Sequence, residues 1–187
     1  MTGICRRRRK VFPASRLERA HRRAAGIIRA VRHLSVPRAI LYGGLTVGTL
    51  DLLDAFIFFR LRSGAQPVAI LHSIASGFIG RDASRSGGVP TAILGLLTHF
   101  FVATCIVTVY VLVSRLLPPL RKRWVMCGMA FGVVAYFVMT FVVVPLSNAG
   151  AGAISFTLPP VPIMTNGILI HMFGVGLPAA YFSSRVS

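Results

Sequence analysis

Four stretches of this sequence stay apolar for long enough to cross a bilayer, and that leaves few folds open to it. They are Ala39–Phe59, Thr91–Leu117, Trp124–Leu146 and Ile163–Phe182. About 20 mostly apolar residues in a helix cover the roughly 30 Å of hydrocarbon. Lipid offers the backbone no hydrogen-bond partner, so a crossing segment is either a helix or a strand of a closed barrel. None of the four runs alternates with the period of two that a barrel strand requires. The fold class predicted is therefore all-α, a four-helix transmembrane bundle. Charged residues make up 13% of the chain, against about 25% in a soluble domain, in keeping with that reading.

The few charges are unevenly placed. Twelve of the 21 Lys and Arg residues precede Ala39, and only Glu18, Asp51, Asp54 and Asp82 are acidic. The sequence divides accordingly into a basic arm over 1–38 and a transmembrane domain over 39–187. Within the arm, Arg6, Arg7, Arg8, Arg9 and Lys10 form a charge block. Leu17, Ala20, Ala24, Ile27, Ile28, Val31 and Leu34 follow at helical spacing, with Arg22 and Arg23 among the residues between them. This pattern predicts a basic amphipathic helix on the membrane surface, with the arginines and Lys10 as binding groups for anionic lipid. The alternative is an arm that only sets topology. A net charge of +17 also raises nucleic acid as a partner, but the remainder is too apolar to present a basic folded face to water. The arm has no apolar stretch of its own, so it does not read as a cleavable signal peptide.

Counting Lys and Arg orients the spans. With both termini on one side, that side holds 17 basic residues and the other holds four. The prediction is a multi-pass protein of a bacterial-type inner membrane with N- and C-terminus in the cytoplasm. Trp124 and Tyr181 fit an aromatic belt on that side. Pro67–Gly80, in the first outer loop, repeats its apolar residues as a helix face but is too short to cross, and reads as interfacial or re-entrant. Arg81–Pro90 reads as a flexible turn and Ser147–Pro162 as an uncharged outer loop. Cys105 and Cys127 fall in apolar runs and read as buried reduced thiols; with Cys5 they make an odd count without CxxC spacing. Pro145 and Pro178 mark kinks or ends.

Ionisable residues inside spans are costly and point to function by default. Asp51 and Asp54 lie in the first span, His99 in the second and His171 in the fourth. Asp51, His99 and His171 each stand eight residues from the outer end of their run, which at helical rise is about 12 Å. They should share one layer. Asp51 and Asp54 are three apart on one face, so they should not both ionise without compensating cations, for which His99, His171 and Arg60 are available. Asn166 can add a hydrogen bond from the fourth span. Three chemistries fit such a layer: handling of a proton, ion or small solute by Asp51, Asp54, His99, His171 and Asn166; a metal site of His99, His171 and Asp51; or a haem between the two histidines. The structural alternative is that Asp and His pair only to lock the bundle. Gly44/Gly48 and Gly128/Gly132 form GxxxG pairs suited to close helix approach, and Gly167 and Gly174 flank His171. No phosphate-binding loop, HExxH or nucleophile elbow occurs, so the chain does not read as an enzyme, and no cofactor is specified.

The runs GGLTVGTLDLLDAFIFF (Gly43–Phe59), ILHSIASGFIGRDA (Ile70–Ala83) and NGILIHMFGVGLPAAYF (Asn166–Phe182) resemble a family of small, uncharacterised bacterial four-pass inner-membrane proteins. The resemblance covers Leu41–Phe182 and implies membrane location and a four-helix layout, with no activity attached. A homo-oligomer, or a non-catalytic subunit of a heteromeric membrane complex, is the competing expectation to solute handling.

Overall fold

A computed structural model describes residues 34–150, 152–154 and 156–186. The basic block and the amphipathic stretch up to residue 33 lie outside the described residues. The described elements are α1 (Val36–Ser63), α2 (Pro67–Ile79), α3 (Arg81–Ser86), α4 (Gly88–Leu116), α5 (Pro118–Lys122), α6 (Trp124–Leu146) and α7 (Val161–Ser184). Among the described residues there is no strand, only an isolated bridge between Leu34 and Val186. α1, α4, α6 and α7 are long and apolar enough to cross a membrane, and each coincides with an apolar run to within about a turn.

Proline and glycine punctuate these helices. Pro37, Pro67, Pro118 and Pro162 sit in first turns, where a missing N–H costs nothing. α1 ends at Gly64, in the left-handed region at φ 69°, whose N–H bonds the Arg60 carbonyl. The segment after α2 corrects an expectation. Arg81–Pro90 is not a flexible turn: Gly80 (φ 81°) and Gly88 (φ 58°) make the two bends, and α3 forms between them. Ser86 Oγ donates to the Asp82 carbonyl at 3.0 Å, and Ser84 Oγ donates to the His72 carbonyl, tying α3 down onto α2.

Both π-turns in the spans precede a proline. Met139–Val143 in α6 is followed by Pro145, and His171–Gly176 in α7 by Pro178. Proline lacks the N–H and presses on the carbonyl four residues back, and widening the preceding turn relieves both. α7 then continues for six residues beyond Pro178, so this proline reshapes the span without ending it.

Small residues set the packing. A methyl on Gly44 would strike Thr104, and one on Gly48 would strike the Phe100 ring, so α1 and α4 meet closely. Methyls on Gly128 and Gly132 would strike the backbone of Gly176 and of His171, so α6 and α7 also meet backbone to backbone. Val47, Val107, Val111, Val175 and Ala179 fill the core between them. Ser114 and Ser183 share a buried hydrogen bond of 2.5 Å between α4 and α7. Larger apolar side chains point outward, as a lipid solvent permits: Ile93, Leu97, Phe101 and Val109 are all exposed along one stripe of α4. Cys105 continues that stripe and is exposed, and Cys127 is half-buried. The expectation of buried thiols is thus corrected. In a membrane an apolar neighbourhood in sequence marks either side of a helix.

The two ends of the bundle differ. At the end carrying the described termini, Leu34 N–H bonds the Arg185 carbonyl at 2.8 Å, Trp124 packs edge-on against Tyr181, and Arg185 lies 4.8 Å from the Tyr181 ring centre. At the opposite end α2 lies against α4, so close that a methyl on Gly95 would collide with the Leu71 carbonyl. The start of the last loop is pinned there: Asn148 N–H donates to the Gly77 carbonyl at 3.0 Å, its amide side chain to the Phe78 carbonyl, and Arg81 Nε to the Ala149 carbonyl at 2.9 Å.

Candidate functional site

Asp51 sits on α1 one turn beyond Gly48, the glycine that lets α4 approach. Its two carboxylate oxygens face different histidines: Oδ2 is 4.0 Å from His99 Nε2, and Oδ1 is 3.9 Å from His171 Nδ1. The three side chains are mostly enclosed, with 26%, 13% and 16% of their surfaces exposed for Asp51, His99 and His171. Both separations are longer than a hydrogen bond, so no proton is shared directly between Asp51 and either ring. The residues expected in one layer therefore meet around one carboxylate.

The same two ring nitrogens hold hydrogen bonds elsewhere. His99 Nε2 is 2.9 Å from the Gly48 carbonyl, and His171 Nδ1 is 2.9 Å from the Gly167 carbonyl one turn back. A carbonyl only accepts, so each of these nitrogens carries a hydrogen and donates it. In a neutral ring the free lone pair then lies on the other nitrogen, His99 Nδ1 and His171 Nε2, and that is where an incoming proton would settle. Once protonated, either ring places a positive charge beside Asp51.

Asp54 is not in contact with either histidine. Its Oδ2 accepts a hydrogen bond of 2.7 Å from Asn166 Nδ2 on α7. α1 and α7 run antiparallel, so Asp51 with His171 and Asp54 with Asn166 form two successive rungs. Arg60 does not join them: its Nη1 donates to the Gly64 carbonyl at 2.9 Å, in water-facing surroundings at the end of α1. A C-terminal arginine one turn from free carbonyls finds them sooner than a carboxylate deeper in the helix.

Tyr136 completes the surroundings and was not singled out by the sequence. Its ring stands 5.5 Å from that of His171, centre to centre, and fills the space that a methyl on Gly167 would need. It is buried, and its hydroxyl has no hydrogen-bond partner among the described residues. Nothing in its apolar run marks it, and the glycine it faces lies on another helix, so the pairing is not readable locally.

The donor set does not fit a metal ion held directly at Asp51. The histidine nitrogens facing the carboxylate are occupied as N–H donors, leaving no lone pair there to ligate. Among the described residues no cluster of three or more His, Cys, Asp or Glu side chains is arranged to hold a metal ion.

Fold and site together define an all-α, multi-pass integral membrane protein with polar rungs between its first and fourth spans. No protein-family model, curated protein or solved structure matches the chain.

Proposed function

We propose that this protein handles protons within the membrane through Asp51, with His99 and His171 as its exchange partners. The observation that carries the reading is the placing of the Asp51 oxygens at 4.0 and 3.9 Å from rings on two other spans. An ionised Asp51 with one protonated histidine is a neutral unit, which low dielectric tolerates better than a lone carboxylate. The proton can rest on either ring, and the 4 Å gaps are closed by a water or a small ring rotation. Asp54 and Asn166 form the next step toward the loop end. On its positive-inside asymmetry, the protein sits in an inner membrane with both termini in the cytoplasm, alongside the small bacterial four-pass proteins it resembles, with its basic arm on anionic lipid. It acts without enzymatic turnover.

Reconstituted protein in liposomes with an enclosed pH dye tests this. Wild type should take up protons under an imposed gradient, and Asp51→Asn should fall to the leak of empty liposomes. Equal uptake by both contradicts the proposal. A second reading draws on the His99 bond to Gly48, which ties α4 to α1. The cluster then locks the bundle, and Asp51→Asn lowers the melting temperature of a protein that carries no proton flux.

A further inference from the structure

A second polar feature adjoins the Asp51 site and shares His99 with it. A cavity of about 690 Å³ opens between α2, α3, α4 and the end of α6, within the range of roughly 300–1,000 Å³ typical of small-molecule sites. Its walls have two characters. Val102, Met139 and Val143 give it an apolar side, while Arg81 and Arg85, one turn apart on α3, stand over it with Ser73. His99 also lines it.

The charges in this cavity do not balance. No carboxylate lines it; Asp82, the acid on α3, is not among the lining residues. Arg81 spends one N–H on the Ala149 carbonyl, which leaves the outer edge of its guanidinium open. The Arg85 side chain makes no hydrogen bond or ion pair with any described residue. Two guanidiniums at a half-enclosed apolar cavity, with no counter-charge, match an anion that accepts two-pronged hydrogen bonds and carries an apolar portion.

We propose that this cavity binds a net-anionic phosphate ester with an apolar moiety, with Arg81 and Arg85 gripping the phosphate and the Val102–Met139–Val143 wall covering the apolar part. The phosphate is either that of a membrane lipid or that of a water-soluble ester entering from the loop end. The inference does not rest on proton handling at Asp51, since both arginines lie outside those rungs. α3 is central to it: as a helix it sets Arg81 and Arg85 on one face.

Binding to the full-length protein, delipidated in a neutral detergent, tests the site. Dioctanoyl phosphatidylglycerol should bind saturably, more tightly than dioctanoyl phosphatidylcholine. Arg85→Gln should weaken it about tenfold, the loss expected for one charge-assisted contact, with an unchanged melting temperature. Arg85 is the chosen position because it holds no structural bond. Binding by the basic arm is common to both proteins and cancels in the comparison. Inorganic phosphate that competes, and is itself weakened by Arg85→Gln, assigns the site to a soluble phosphate; phosphatidylglycerol binding without such competition assigns it to lipid. Failure of both probes to bind, affinity indifferent to Arg85→Gln, or equal affinity for the choline lipid would overturn the proposal.

Discussion

A buried hydroxyl with no partner is unusual enough to predict from. Tyr136 is 5% exposed, and its oxygen meets no donor or acceptor among the described residues, a state that costs about 1–3 kcal/mol for an unsatisfied group. Tyr136→Phe keeps the ring against His171 and Gly167 and removes only that oxygen. Thermal unfolding in detergent should show the variant as stable as wild type or more stable by up to about 1 kcal/mol. A clear loss would mean that the hydroxyl holds a water or a ligand beside His171. The histidines were legible in the sequence as ionisable residues within apolar runs, and counting along each run led to the expectation that they lie near Asp51. Their hydrogen bonds were not: His99 reaches the Gly48 carbonyl on another helix and His171 the Gly167 carbonyl one turn back on its own, and no local pattern fixes either ring orientation.

Among elements, the α6–α7 pair is tightly specified. A methyl on Gly132 would overlap the His171 carbonyl, whereas one on Gly77 in α2 would rest 3.6 Å from Ser147 Oγ, an ordinary contact. Gly132→Ala should therefore cost about 1–3 kcal/mol through overpacking and shift His171 as well. Gly77→Ala should be neutral or gain up to about 1 kcal/mol from helix propensity. Paired melting curves check both, and the order of the two variants is the decisive outcome. The four spans were readable because lipid demands long apolar helices. The π-turns were not: proline marks a disturbance, but whether the helix ends, kinks or widens is decided by what packs against it. α3 was missed for a related reason. Five of its six residues are polar, it lies between two glycines, and its helix is held by α2 through Ser84 and His72, a contact no local pattern reveals.

On the scale of the whole molecule, the described termini meet at one end of the bundle and α2, α3 and the last loop gather at the other. The basic residues favour the terminal side by 17 to four. A C-terminal fusion should therefore fluoresce with green fluorescent protein and stay inactive with alkaline phosphatase. The reverse pattern would invert the protein and turn the arginine-lined cavity toward the cytoplasm. With the predicted orientation, the cavity, lined by α2, α3 and His99, lies toward the outer side.

Infrared difference spectroscopy of the reconstituted protein across a pH step observes the central carboxylate directly. Proton handling at Asp51 predicts a protonated-carboxyl band that changes with pH, persists in Asp54→Asn and is lost in Asp51→Asn. Superimposable spectra for wild type and Asp51→Asn would contradict it.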